Sequence, residues 1–131
     1  EVEQKIILGQ RLGQWKWALN LVHASEWADQ LHALEGEVEG DFGLARDLGK
    51  HWSLGLELRE HSELPDYRQV ENTALFLGPV VSYRQEKWWA AFTVMPQVCG
   101  SNFIGETTGS RYLDLRDHER VNVRLIFGIS F

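Results

Sequence analysis

Apolar and polar residues alternate one by one through seven separate segments of this chain, a period that admits little besides β-strand. The last segment, RVNVRLIFGISF, sets Val121, Val123, Leu125, Phe127, Ile129 and Phe131 on one face and Asn122, Arg124, Ile126, Gly128 and Ser130 on the other. Near the start, Val2, Ile6 and Leu8 oppose Glu3, Lys5, Gly9 and Arg11, with Ile7 breaking the polar face. WKWALNLVHASEW sets Trp15, Trp17, Leu19 and Leu21 against Lys16, Ala18, Asn20 and Ala24. LEGEVEGDFGLARD is the most polarised, with Leu34, Val38, Phe42 and Leu44 alternating with Glu35, Glu37, Glu39, Asp41 and Asp47. Its apolar residues recur at every second position rather than at three and four, and glycines interrupt it, so helix is rejected there.

HWSLGLELRE continues the pattern, with Trp52, Leu54, Leu56 and Leu58 opposite Ser53, Gly55, Glu57 and Arg59. TALFLGPVVSYR places Leu75, Leu77, Val81 and Tyr83 against Ala74, Gly78, Ser82 and Arg84, with Phe76 and Val80 as exceptions. KWWAAFTVMPQV places Trp88, Ala90, Phe92 and Val94 against Trp89, Ala91, Thr93 and Gln97. Pro79 and Pro96 each remove a ladder donor, so each is expected to mark a bulge or a strand end.

Only LGQ, LGK and QEK join the segments at three junctions, and these are hairpin lengths. The other junctions, ASEWADQLHA, HSELPDYRQVEN and CGSNFIGETTGSRYLDLRDHE, are long, polar and loop-like. Short and long connections alternate, so the sequence predicts an all-β antiparallel up-and-down meander of about seven long strands, with short turns at one end and long loops at the other. The strands expected here run about 10 to 14 residues, long enough to cross a bilayer when tilted.

Periodicity does not say which face is outside. Trp15, Trp17, Trp52, Tyr83, Trp88 and Trp89 gather within a few residues of the short turns, where a membrane barrel carries its aromatic girdle. Such a barrel turns the apolar face to lipid and Glu35, Glu37, Glu39, Asp41, Glu57, Arg59, Arg84 and Arg124 to the lumen. A wetted channel and a lumen plugged by salt bridges both satisfy that arrangement. The competing reading is a soluble β-barrel that binds an apolar ligand in its interior.

Composition removes other classes. A net charge of −6 provides no basic surface for nucleic acid. The single cysteine, Cys99, forms no internal disulfide and no multi-cysteine metal site. No run of about 18 apolar residues marks a transmembrane helix, which says nothing about crossing by strands. His23 and Ser25 stand two apart on one strand, unlike the converging groups of a catalytic triad, so no enzyme is expected. EGEVEGD lacks a calcium-loop spacing, and His32, His51, His61 and His118 lack metal-ligand spacing. With no phosphate loop or dinucleotide fingerprint, neither metal nor cofactor is expected.

The terminal segment resembles the carboxy-terminal signal of bacterial outer-membrane β-barrel proteins, which ends in alternating apolar residues and a terminal aromatic. Phe131 and Ile129 match its last two apolar positions, Phe127 continues them, and Arg124 matches the upstream polar one. Members often carry Gly where this chain has Ile126, and here the glycine stands at 128. With its WKW, GKHWSLGLELR, FLGPVVSYR and EKWWAAFTVMPQ stretches, the chain resembles the carboxy-terminal part of a porin-like barrel. The resemblance implies a bacterial outer-membrane location. It also implies membrane lipid, the outer-membrane assembly machinery and small solutes as partners. Because single-chain bacterial barrels have even strand counts, seven strands are expected to be the carboxy-terminal piece of a larger single-domain barrel.

Overall fold

A computed structural model describes residues 2–27, 34–64, 72–102, 109–110, 113–114 and 119–131. The alternating segments form β1 (Val2–Leu12), β2 (Trp15–Trp27), β3 (Leu34–Leu48), β4 (Trp52–Leu64), β5 (Asn72–Arg84), β6 (Trp88–Asn102) and β9 (Val121–Ile129). They pair antiparallel in chain order as one seven-stranded sheet, the meander that the alternation predicts. Among the described residues, β1 and β9 do not pair with each other.

Two of the short turns carry a glycine with positive φ, Gly13 at 61° and Gly49 at 79°, a conformation that costs other residues a steric clash. Both glycines support the tight hairpins read from LGQ and LGK.

At the loop end the strands outrun the sequence reading. β4 continues through HSEL to Leu64 and β6 through CGSN to Asn102, while β2 ends at Trp27, the last residue of its alternating segment. Polar pairs sustain these extensions: Asn72 donates to Glu63 at 2.8 Å, and Thr73 donates to Glu60 at 3.0 Å. The long connection after β6 also holds a small hairpin, β7 (Gly109–Ser110) with β8 (Leu113–Asp114). Two-residue strands are too short to show a period, which is why the segment reads as loop.

The prolines correct a second expectation. β5 and β6 run straight through Pro79 and Pro96, and the one register shift lies between Leu75 and Phe76. Pairing is interrupted between Phe76↔Gln97 and Val80↔Thr93, a gap that sets Leu77–Pro79 opposite Val94–Pro96. Both prolines therefore share one break in the ladder, and neither ends its strand. Gly78 sits in the same gap, where a Cβ would come within 1.8 Å of the Val94 carbonyl oxygen. Only glycine lets the two backbones approach so closely.

The sheet curls toward its charged face. Arg124 on β9 donates to Glu57 on β4 at 2.6 Å, reaching past both β5 and β6. Neighbouring strands lie about 4.8 Å apart, so side chains three strands apart meet only across a concave surface. The convex face carries the apolar set: Leu125 is 72% exposed, Phe127 60% and Leu56 57%. Phe76, read as an exception to the polar face, is buried on the concave side at 3% exposure, as is Met95 at 0%. β8 lies against β5 and β6, and the convex neighbours Leu77 and Phe92 remain exposed.

Candidate functional site

The concave face holds charges in a lattice set by register. Asp41 lies opposite Arg59, Glu39 opposite His61, and Glu37 opposite Glu63. Arg59 donates from Nε to Asp41 at 2.9 Å and lies 3.5 Å from Glu57 and 3.8 Å from Glu39. Its side chain and that of Asp41 are each only 14% exposed. A guanidinium suits this position because its planar fork serves several carboxylates at once. Glu57 then links Arg59 to Arg124, so the chain of charge runs from β3 across the concavity to β9.

The bases that pair with Glu37, Glu39 and Asp41 of β3 therefore stand on the adjacent strand β4. Toward the short turns, Asp47 pairs with Arg11 and, at 3.2 Å, with Lys16. Arg84 also faces inward near that end and is exposed, and its carbonyl accepts a hydrogen bond from His51 Nδ1 at 2.8 Å. Glu35 pairs in register with Glu26 at the loop end, and its side chain is exposed.

His61 is the residue that sequence reasoning missed. Its Nε2 lies 3.2 Å from Glu37 and 3.9 Å from Glu63, and its Nδ1 lies 3.4 Å from Glu39. No spacing in the sequence announces this group, because its members come from two strands. The one available signal was that His61 and Arg59 both fall on the polar face of β4.

The convex aromatics form a connected band. Tyr83 meets Trp52 at 4.9 Å and Trp88 at 5.3 Å between ring centroids, and Trp88 meets Phe127 at 5.9 Å. Trp17 lies one rung further along and stacks near Phe42 at 6.5 Å, while Trp15 receives the Arg46 guanidinium at 5.6 Å. Trp89 is on the concave side, paired in register with Arg84 and Gly128. Its indole lies so close over Gly128 that a Cβ there would fall 2.4 Å from Nε1, a physical reason for glycine at 128.

At the end of the chain, Arg124 points inward, and Phe127 and Ile129 point outward. Strand pairing stops at Ile129↔Trp88, and one further bond runs from the Ser130 amide to the Lys87 carbonyl at 2.8 Å. Phe131 lies beyond the strand and is fully exposed, although the alternation would extend the strand to include it.

Residues 14–131 match the family described as Family of unknown function (DUF6662). No curated protein and no solved structure matches the chain.

Proposed function

Since the chain belongs to this family of unknown function, we propose a role from its geometry: it is part of the wall of a porin-like, transport-related β-barrel of the bacterial outer membrane. The observation that carries the reading is the curl of the sheet, which puts paired charges on the concave face and large apolar side chains on the convex face. A soluble barrel holding an apolar ligand needs the reverse arrangement. Lipid is the solvent in which an apolar convex face is stable.

Dimensions and landmarks support the same reading. From Val121 to Ile129 every convex residue of β9 is apolar. That stretch spans about 27 Å along the strand, or about 21 Å of height at a tilt of ~40°, comparable with the ~25 Å apolar band of such barrels. The aromatic band marks the short-turn boundary. Glu60, Ser62 and Thr73 mark the other on the convex side, where Ser62 donates to Thr73 at 2.9 Å.

β1 and β9 both run toward the short turns, so antiparallel closure takes an odd number of further strands running the opposite way. A second copy in the same orientation would join the first through parallel seams. Sequence outside these 131 residues fits the requirement better.

In this reading the terminal aromatic serves the assembly machinery, because Phe131 lies outside the strand and packs against nothing in the sheet. In the full-length protein, Phe131→Ala is expected to leave refolding in detergent micelles intact, as followed by heat-modifiable migration. The yield in the membrane fraction of cells should fall several-fold. Equal losses in both assays would remove the signal role. Folding of the unaltered protein in plain buffer, without detergent, would remove the membrane reading itself.

A further inference from the structure

Near the loop end of the concave face, Glu37, Glu39, His61 and Glu63 form a block two strands wide and two rungs deep. The donor atoms of Glu37, Glu39 and His61 all lie within 4.8 Å of one another, and Glu63 Oε1 adds a further donor 3.9 Å from His61 Nε2. A transition-metal ion bonds such donors at about 2.0–2.2 Å, so small side-chain rotations would close the group around one ion. We propose that this block binds a divalent transition-metal cation of the zinc class, with His61 Nε2, Glu37 and Glu63 as ligands.

More than accumulated acid supports the assignment. The imidazole presents its two nitrogens to different partners: Nδ1 lies 3.4 Å from Glu39, and Nε2 faces Glu37 and Glu63. A carboxylate on one ring nitrogen fixes the tautomer and raises the basicity of the other, as it does for metal-bound histidines. Glu39 is itself steadied by Arg59 at 3.8 Å. On the far side, the wholly buried Asn72 donates to Glu63 Oε2 at 2.8 Å and so turns Oε1 toward the imidazole.

Register adds a reason for a cation. Glu37 and Glu63 stand directly opposite each other, and like charges so placed weaken a sheet. A cation between them removes that repulsion. Their side chains are 51% and 45% exposed, and a cavity lined by Glu3, Lys5, Val22, Ala24, Glu37 and Glu39 adjoins them, so an ion can arrive from solvent. One imidazole nitrogen with carboxylate oxygens favours zinc, nickel or copper over magnesium and calcium, which prefer oxygen alone. The site depends on the β3–β4 register and not on the membrane reading.

Calorimetric titration of the full-length protein in detergent micelles with Zn2+ alone tests the site. One ion per chain is expected, bound at least about tenfold more tightly than Mg2+. His61→Gln should weaken zinc at least about tenfold with unchanged β-sheet circular dichroism, as the imidazole is the only nitrogen donor in the block. Glu63→Gln, at a half-exposed position, should weaken zinc severalfold and serves as the test if His61→Gln fails to fold. Absence of zinc binding, equal affinity for Mg2+, or undiminished affinity in a folded variant would each overturn the site.

Discussion

Leu125→Arg is expected to destabilise the lipid-embedded protein by about 2–4 kcal/mol, the cost of a basic side chain near the middle of a barrel's lipid face. Leu125 sits midway along β9, paired with Phe92, and its side chain is 72% exposed. The size of the effect depends on the solvent that this exposed surface meets. In water, replacing an exposed leucine by arginine changes stability by about 0.5 kcal/mol or less, and it improves solubility. Urea titration of the full-length protein in lipid vesicles measures the difference. A stability unchanged by the arginine would mean that the convex face of β9 meets water or another protein surface.

Arg59→Met is expected to cost about 3–5 kcal/mol in the same assay, because removing one partner of a buried charge group leaves the others uncompensated. Here the others are Asp41 at 2.9 Å, Glu57 at 3.5 Å and Glu39 at 3.8 Å, crowded on one patch of the concave face. The accompanying variant Arg59→Met/Asp41→Asn should recover part of the loss, since it removes the nearest of the stranded carboxylates. A loss below about 1 kcal/mol in Arg59→Met would place the group in a well-hydrated lumen, where water screens the carboxylates as well as the guanidinium does.

Much of the fold was legible because it rests on local period. Trp52, Leu54, Leu56 and Leu58 announce the convex face of β4 without reference to any other strand, and LGQ and LGK announce their turns through single glycines. Relations between strands were not legible. Read singly, each proline demands its own defect, and only the pairing of β5 with β6 shows that Pro79 and Pro96 share one.

The same holds for the candidate site. Alternation placed Glu37, Glu39, Asp41, Glu57 and Arg59 on one face, as the structure has them. It could not place His61 opposite Glu39, because that needs the register across the Gly49 turn, nor Arg124 beside Glu57, 67 residues away. Phe76 looked like a flaw in a polar face because nothing local reveals that it joins Ala74 and Met95 in a buried cluster. Their burial is a tertiary event that the strand's own pattern does not record.

The central claim is that the convex face meets lipid and the concave face meets water, and β9 offers the most direct test. Cys99 is the only cysteine, so in a Cys99→Ala background single cysteines at positions 121 to 129 can each carry a nitroxide label. Accessibility to oxygen, which concentrates in lipid, and to a water-soluble nickel chelate is then read in vesicles by electron paramagnetic resonance. Oxygen accessibility is expected to peak at 121, 123, 125, 127 and 129, with nickel accessibility confined to the positions between them. High nickel accessibility at 123, 125 and 127 would contradict the account.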